Sequence, residues 1–351
     1  MARRPTRSQQ RLFARLIQRL TPELAAAFEA AVAELRAGVV WADLIAALER
    51  QDVLAAIAAL NIEPAAMYAY GAAKQAAYAE AGALAATTII APGAGVVGVR
   101  FDMMNPGAEA WISTNVWGHL SGWMQEEQLA AVRQTILTGY EVGRHPHRIA
   151  TDVAGRVVNG RRTGGVIGLD AERARRLTAV THGMQTAEGV QDLVVMRNGV
   201  PAVRYKVNRA TEARIIKAWR AGEAVPAADR AISERQYSNA LLKARAQQLS
   251  QDATAEAVFA GREEEWRQTL DKLGLPDDAV SKTWIHGGGP KDPRPHHVAM
   301  SGTTVQGMNT PFEFANGAAL RWPHDPDGPV SETTLCTCGC NFGLDHTRGL
   351  T

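Results

Sequence analysis

Apolar residues near the start of the chain recur three and four positions apart. Leu12, Phe13, Leu16, Ile17 and Leu20 form one stripe, and Phe28, Val32 and Leu35 continue it, which is the period of an amphipathic helix. Thr21-Pro22 lies between the two sets and reads as an N-cap followed by proline at a first helical position, which predicts a helix start there. Further helices are predicted from Trp41 to Glu49, after Asp52 and after Glu63-Pro64. Alanine is frequent throughout, which favours helix and lets helices approach closely.

From 86 to 104 the pattern changes. ATTIIAPGAGVVGVRFDMM is β-branched and Gly-rich without helical period, and predicts one or two short strands. Helical spacing resumes from about Ala108 to Thr138, where Trp111, Trp117 and Trp123 suit a core or subunit contact better than a cofactor box. Pro146 is expected to start a helix to roughly Val158, a Gly-rich loop to cover 160–168, and Asp170 to cap the next helix. TEARIIKAWRAG is amphipathic. Asp229 to about Leu273 reads as a long, highly charged helix with Leu241, Leu242, Leu249, Val258, Phe259 and Trp266 buried. After Pro276 the chain is rich in Gly, Pro, His and Asp. Such a segment has little apolar surface to hold itself together and needs packing, a metal or a partner.

These patterns predict a mainly α protein, with Ala-rich helical N-terminal and middle regions and a small α+β module rich in Gly, Pro, His and Cys at the C-terminus. At 351 residues two or three domains are expected. The expected division is a helical region 1–85, a region 86–205 of short strands then Arg-rich helices, a remainder of long helices followed by the His/Cys tail, and a flexible end 343–351.

Charge narrows the function classes. The 38 basic and 36 acidic residues nearly balance, at net +2, which argues against a dedicated nucleic-acid coat. Arginine is dense only in the middle third, at Arg161, Arg162, Arg173, Arg175, Arg176, Arg197, Arg204 and Arg209. A phosphate-contacting surface would lie there, and salt-bridged helix faces are the ordinary alternative. The basic start MARRPTRSQQ lacks the apolar stretch of a signal peptide. Ala81–Val99 carries no charge, but Pro92 and its glycines break it, so a soluble chain is expected. Gly93-Ala-Gly95-Val-Val-Gly98 has the letters of a dinucleotide fingerprint, yet VRFD after it reads as strand where a helix must open, so no nucleotide site is expected.

All three cysteines, Cys336, Cys338 and Cys340, lie within five residues. An odd, crowded set is no disulfide framework, and a reducing compartment is expected. Cys336 and Cys338, two apart, can point at one ion. His286 and His297, across a Gly/Pro loop, are the candidates to complete a tetrahedral zinc site. The alternative is structural Cys and His satisfied by the protein itself. A zinc hydrolase would also need an open coordination position and a carboxylate base, for which Glu332 and Asp325 are near in sequence. No H-x-E, H-E-x-x-H, G-x-S-x-G or P-loop pattern occurs, so no catalytic residue is assigned.

The tail also follows a specific order. TWIHGGGPKDPRPHHVAMSGTTV, then PF, LRWPHDPDGP and ETTLCTC succeed one another. In that order the stretch resembles the head morphogenesis domain of tailed bacteriophages, the minor head protein family related to the F protein of phage Mu. Trp284, Arg294, His297, Gly302, Phe312, Pro323, Asp325, Pro326, Glu332, Cys336 and Cys338 carry the resemblance, which places that domain at 206–342. Upstream, RFDMMNPGAEAW, GRRTGGVIGLDAERARRL and DRAISERQYSNALLKARAQQL resemble the helical region that precedes it. The chain departs from the family at Gln251-Asp252-Ala253, where members commonly carry Arg-Thr-Glu, and at Leu335 and Thr337, where they often carry Asn and Arg; Cys340 lies outside the pattern.

The resemblance implies a non-enzymatic structural and assembly protein of a phage or prophage head. Such a protein assembles in the host bacterial cytoplasm, resides in the virion head near the portal, and takes part in procapsid assembly. Its implied partners are the portal protein and the major capsid or scaffold proteins, with DNA contact that ignores sequence and no membrane. The cysteines would then end an inherited folding module, tied through His297, with or without zinc. The rival reading is a zinc-dependent enzyme acting on nucleic acid or protein within the head, and a DNA-binding protein in its own right is a third.

Overall fold

In the computed structural model, residues 7–91, 95–288 and 293–345 are described. Among them the chain is mainly helical, and its sheets have only two or three antiparallel strands. Contacts gather the chain into two compact units. One is built from Met1–Ala27, Tyr70–His119 and Gln247–Thr351, the other from Phe28–Ala69 and Leu120–Ala246.

The first helix, Arg7–Ala37, runs straight through Thr21-Pro22, where a helix start was predicted. Thr21 Oγ1 donates to the Ile17 carbonyl one turn back, at 2.8 Å, which is a mid-helix bond rather than a cap. Phe13, Leu16, Leu20 and Leu24 are all buried, so the apolar stripe spans the proline. Burial of that stripe outweighs the local stop signal.

The first unit is centred on the last part of the helix Ala227–Leu273. From Thr254 to Leu270 this helix is buried on nearly every side, so an amphipathic stripe has no meaning there. Helix Tyr68–Ala86 packs Ala77, Ala81 and Ala85 into the same core as Ala257, Val258 and Ala260. Ile90–Ala91 pairs with Gly95–Val96, as the β-branched stretch predicts. Gly93 lies outside the described residues, and no helix opens at Gly95 or Gly98. Trp111 and Trp117 pack on this core, while the side chain of Trp123 lies outside the described residues.

The C-terminal module closes the unit. Val280–Ile285 is the middle strand of a three-stranded sheet, flanked by Gly339–Leu344 and Thr304–Gln306. Alternation turns Val280, Lys282 and Trp284 inward. The register sets Cys340 opposite Trp284 and Phe342 opposite Lys282. The end expected to be flexible from 343 thus begins inside a strand, and 346–351 lie outside the described residues.

The second unit is helical, with two hairpins that the apolar pattern missed. The helix expected to reach Val158 ends at Ala154, and Arg156–Val158 pairs with Arg161–Thr163. Val194–Arg197 pairs with Val200–Val203. Asn159-Gly160 and Asn198-Gly199 form the tips, all four with φ between +50° and +77°. Asn-Gly is the pair that accepts such angles in a two-residue hairpin. Beyond the first hairpin, buried donors hold the Gly-rich loop by its carbonyls: Arg36 bonds Ile167 at 2.9 Å, Arg245 bonds Gly168 at 2.9 Å, and Ser238 bonds Gly165 at 2.6 Å. Arg173 pairs with Asp170, and Arg175 and Arg176 with Glu172, so these arginines are salt-bridged helix faces.

Candidate metal centre

Four short pieces of the module bring the site together. Arg294-Pro295 opens the one-and-a-half-turn helix Pro295–Ala299, with proline in the first turn, and adjacent positions on it carry His296 and His297. Pro329 likewise opens Val330–Thr333, which carries Glu332. The chain then turns at Leu335, whose φ of +54° is unusual for a branched residue. Cys336 and Cys338 follow, just before the last strand. Trp284 lies edge-on to the His297 ring at 5.4 Å, and Phe314 packs against the same ring at 4.9 Å.

His297 is the hub. Its Nδ1 lies 3.6 Å from Cys336 Sγ and 3.6 Å from Cys338 Sγ. Zinc bonds of about 2.3 Å to sulfur and about 2.0–2.1 Å to nitrogen, at a tetrahedral angle, separate N from S by about 3.6 Å. Both N–S separations therefore match an edge of a zinc tetrahedron, the three ligand atoms lie within 4.8 Å of one another, and all three residues are buried. On the other side of the ring, Nε2 lies 2.9 Å from Glu332 Oε2. His296 Nε2 reaches the same oxygen at 2.7 Å, and Asn316 Nδ2 donates to Oε1 at 2.9 Å.

Burial would raise the Glu332 carboxyl, but the bonds from His296, Asn316 and His297 outweigh it and hold it below the ordinary range. An ionised Glu332 accepts the His297 Nε2 proton and leaves the Nδ1 lone pair facing the thiols, the arrangement that orients a metal-ligating imidazole. The hydrogen bond between the two thiols pushes Cys336 up and pulls Cys338 down, which favours a thiolate on Cys338. The group can hold a divalent metal through one imidazole and two sulfurs.

The other predicted residues support the site or stand apart from it. His286 does not join the group; its Nδ1 accepts from the Gly288 amide and its own amide donates to Ser301. Arg294 Nη2 donates to the Thr334 carbonyl at 2.8 Å, and Gly302, at φ +91°, donates to the Trp284 carbonyl at 2.8 Å. Phe312 meets Trp284 edge-on. Asp325 is taken by Arg321, which reaches both its oxygens, so it is no free base. Pro323 is buried beside it and Pro326 is exposed. Cys340 is outside the group; its thiol is pushed up to about 12 by burial.

Other residues contribute to the site that the sequence did not assign to it. His324 is fully buried with its pKa pushed down to about 4, and its neutral ring donates Nε2–H to the Cys336 carbonyl at 2.7 Å. Lys282 is also fully buried and donates to the carbonyls of Met308, Thr310 and Arg321 at 2.6, 2.7 and 3.0 Å. Only the strand alternation, with a lysine between Val280 and Trp284, could have signalled it. Asp252 accepts from the Leu335 amide at 2.6 Å, so two of the positions where the chain departs from the family pattern touch each other. Burial pushes Asp252 up to about 6.

Behind Cys336 and Cys338 lies a cleft of about 500 Å³, walled by the Arg7–Ala37 and Ala227–Leu273 helices, with Phe13, Ile17, Gln247, Gln251 and Arg262 in its lining. The buried Arg262 guanidinium is sandwiched between the rings of Phe13 and Phe342, at 4.4 and 4.6 Å, and Nη1 donates to the Cys340 carbonyl at 2.5 Å.

Comparison with models of protein families, with curated proteins and with solved structures brings no match to this chain.

Proposed function

We propose that the protein is a structural and assembly component of a tailed-phage or prophage head, acting beside the portal, with a C-terminal module closed by one zinc ion on His297, Cys336 and Cys338. The observation that carries this reading is convergence. Trp284, Arg294, His297, Phe312, Glu332, Cys336 and Cys338 are spread over a long stretch of chain, yet each touches another member of the set. Residues that resemble an ordered family motif thus behave as one folding unit. A Gly/Pro-rich segment needs such a tie, because its own apolar surface is small. No helix among the described residues is long and apolar enough to cross a membrane.

Two measurements test this. Metal analysis of the purified full-length protein is expected to find close to one zinc per chain, and none in a Cys336→Ser/Cys338→Ser variant. Co-expression with the portal protein of the same genome, followed by native mass spectrometry, is expected to give a complex of fixed ratio. A protein that ignores portal, capsid and scaffold proteins alike would overturn the assembly role.

One observation favours the zinc-enzyme alternative: the two sulfurs belong to residues that line a cleft, where a purely structural zinc is usually enclosed. Hydrolysis of nucleic acid or peptide substrates by the zinc-loaded protein, lost in the double serine variant, would decide for it.

A further inference from the structure

We infer that the metal keeps a fourth coordination position open to the cleft behind Cys336 and Cys338, and that this position takes a monodentate anionic donor such as a thiolate or carboxylate. The inference rests on the zinc reading above and concerns what that zinc can bind.

The donor set is the first ground. Zinc in an enclosed structural site takes four protein ligands, whereas a site with three keeps a place for an exchangeable one. Among the described residues only His297, Cys336 and Cys338 bring donor atoms to this point, and the second group, His296, His297 and Glu332, shares just the His297 ring. The neighbours that could have closed the sphere are otherwise placed. His324 uses Nε2 on the Cys336 carbonyl, and Cys340 Sγ donates to the Asn341 carbonyl at 3.9 Å. Glu332 lies on the far nitrogen of His297, where it orients the ring rather than the ion.

The cleft is the second ground. Both cysteines belong to its lining, while His297 and Glu332 do not, so the three-atom group meets the cleft on its sulfur side. At about 500 Å³ it has room for a small ligand as well as water.

Arg262 gives the sign. It belongs to the same lining, is buried, and its Nε and Nη2 have no hydrogen-bond partner. Two buried donors on a cation that no carboxylate neutralises favour a negative ligand nearby. Glutamines at 10, 18, 247 and 251 add neutral donors and acceptors to the wall, and among the described residues the lining holds no carboxylate to repel an anion.

The test uses the full-length protein with cobalt(II) in place of zinc, because cobalt reports its ligands in the visible spectrum. Thiocyanate and acetate are the probes. A saturable change in the cobalt bands on adding either probe, with the thiolate charge-transfer bands retained, is the expected result. Ala14, exposed on the first helix, belongs to the cleft lining, and Ala14→Trp is expected to weaken probe binding about tenfold without loss of cobalt. Cobalt bound at one per chain with a spectrum that neither probe changes would overturn the open position and leave a closed structural metal. Failure to bind cobalt or zinc at all would overturn the metal reading itself. The two failures are therefore distinct.

Discussion

Lys282 and Glu265 are two buried ionisable groups that the first unit accommodates in opposite ways. Lys282 points into the module core from the middle strand and its ammonium gathers three loop carbonyls. Desolvation lowers its pKa to about 8, but the three acceptors keep a cation acceptable there. Lys282→Met preserves the shape and orphans those carbonyls. At roughly 1–3 kcal/mol for each unsatisfied buried group, a loss of about 3 kcal/mol or more is expected in urea unfolding. Glu265 is the opposite case. It is buried, its Oε1 accepts from Thr269 at 3.0 Å, and its Oε2 has no partner. Burial pushes its carboxyl up to about 7, so the folded chain holds a proton that the unfolded chain has released. Stability contributed by that proton is complete below pH 4.5, falls as pH rises from 4.5 to 7, and is lost above that range. The shift corresponds to about 3 kcal/mol. Glu265→Gln is expected to raise the melting temperature at pH 8, to leave it unchanged near pH 4, and to flatten the profile between them. A variant with the same pH slope as the parent would exclude Glu265 as its source.

Among the elements, the helix Ala227–Leu273 behaves unlike its sequence. Glu263, Glu264 and Glu265 would sit on the wet side of an amphipathic helix, yet all three are buried. Each is met by a residue one turn on: Arg267, Gln268 and Thr269. Gln268 also bonds both the amide and the carbonyl of Asp102, fastening the loop before the next helix. Close approach is the other device. At Gly261 a side chain would overlap the Tyr78 carbonyl, so the two helices meet backbone to backbone. Gly261→Ala would help an isolated helix but is expected to destabilise the protein by roughly 2 kcal/mol, because the contact has no room for a methyl group. A thermal melt of the variant against the parent measures this. Gly287 plays the same part at the site, where a Cβ would overlap the Thr337 carbonyl between the two cysteines.

For the whole molecule, the two compact units are each assembled from separated stretches of chain. Metal bound at His297, Cys336 and Cys338 belongs to the first unit alone. Chelation is therefore expected to lose amide-exchange protection at Val280–Ile285 and Gly339–Leu344 while the hairpin Val194–Val203 in the second unit keeps its own. Hydrogen-exchange mass spectrometry with and without chelator reads this directly. Equal loss in both units would mean that they unfold as one. The exposed Arg197, Arg204 and Arg209 of the second unit remain the place to look for phosphate contact, and a steep fall of DNA binding with salt would reveal it.

Much of this was legible in the amino-acid order, because its causes are local. Periodicity marked most of the helices, β-branched and Gly-rich texture marked the strands near 90–96, and the cysteine pair with His297 marked the candidate site. Asn-Gly at 159–160 and 198–199 carries a hairpin signal that the expectation of a helix to Val158 passed over, because the apolar pattern around these pairs is too short to show strands. The tertiary structure decided what depends on partners distant in sequence. Burial of a continuous stripe carried the first helix through Pro22. A helix enclosed on all sides turned a run of glutamates inward. The fold also set His286 aside, gave Glu332 to His297 as its orienting carboxylate, and placed Lys282 under three carbonyls. Local spacing determines which residues can share a face; only the packed chain decides which faces meet, and with them which histidine is left beside the two sulfurs.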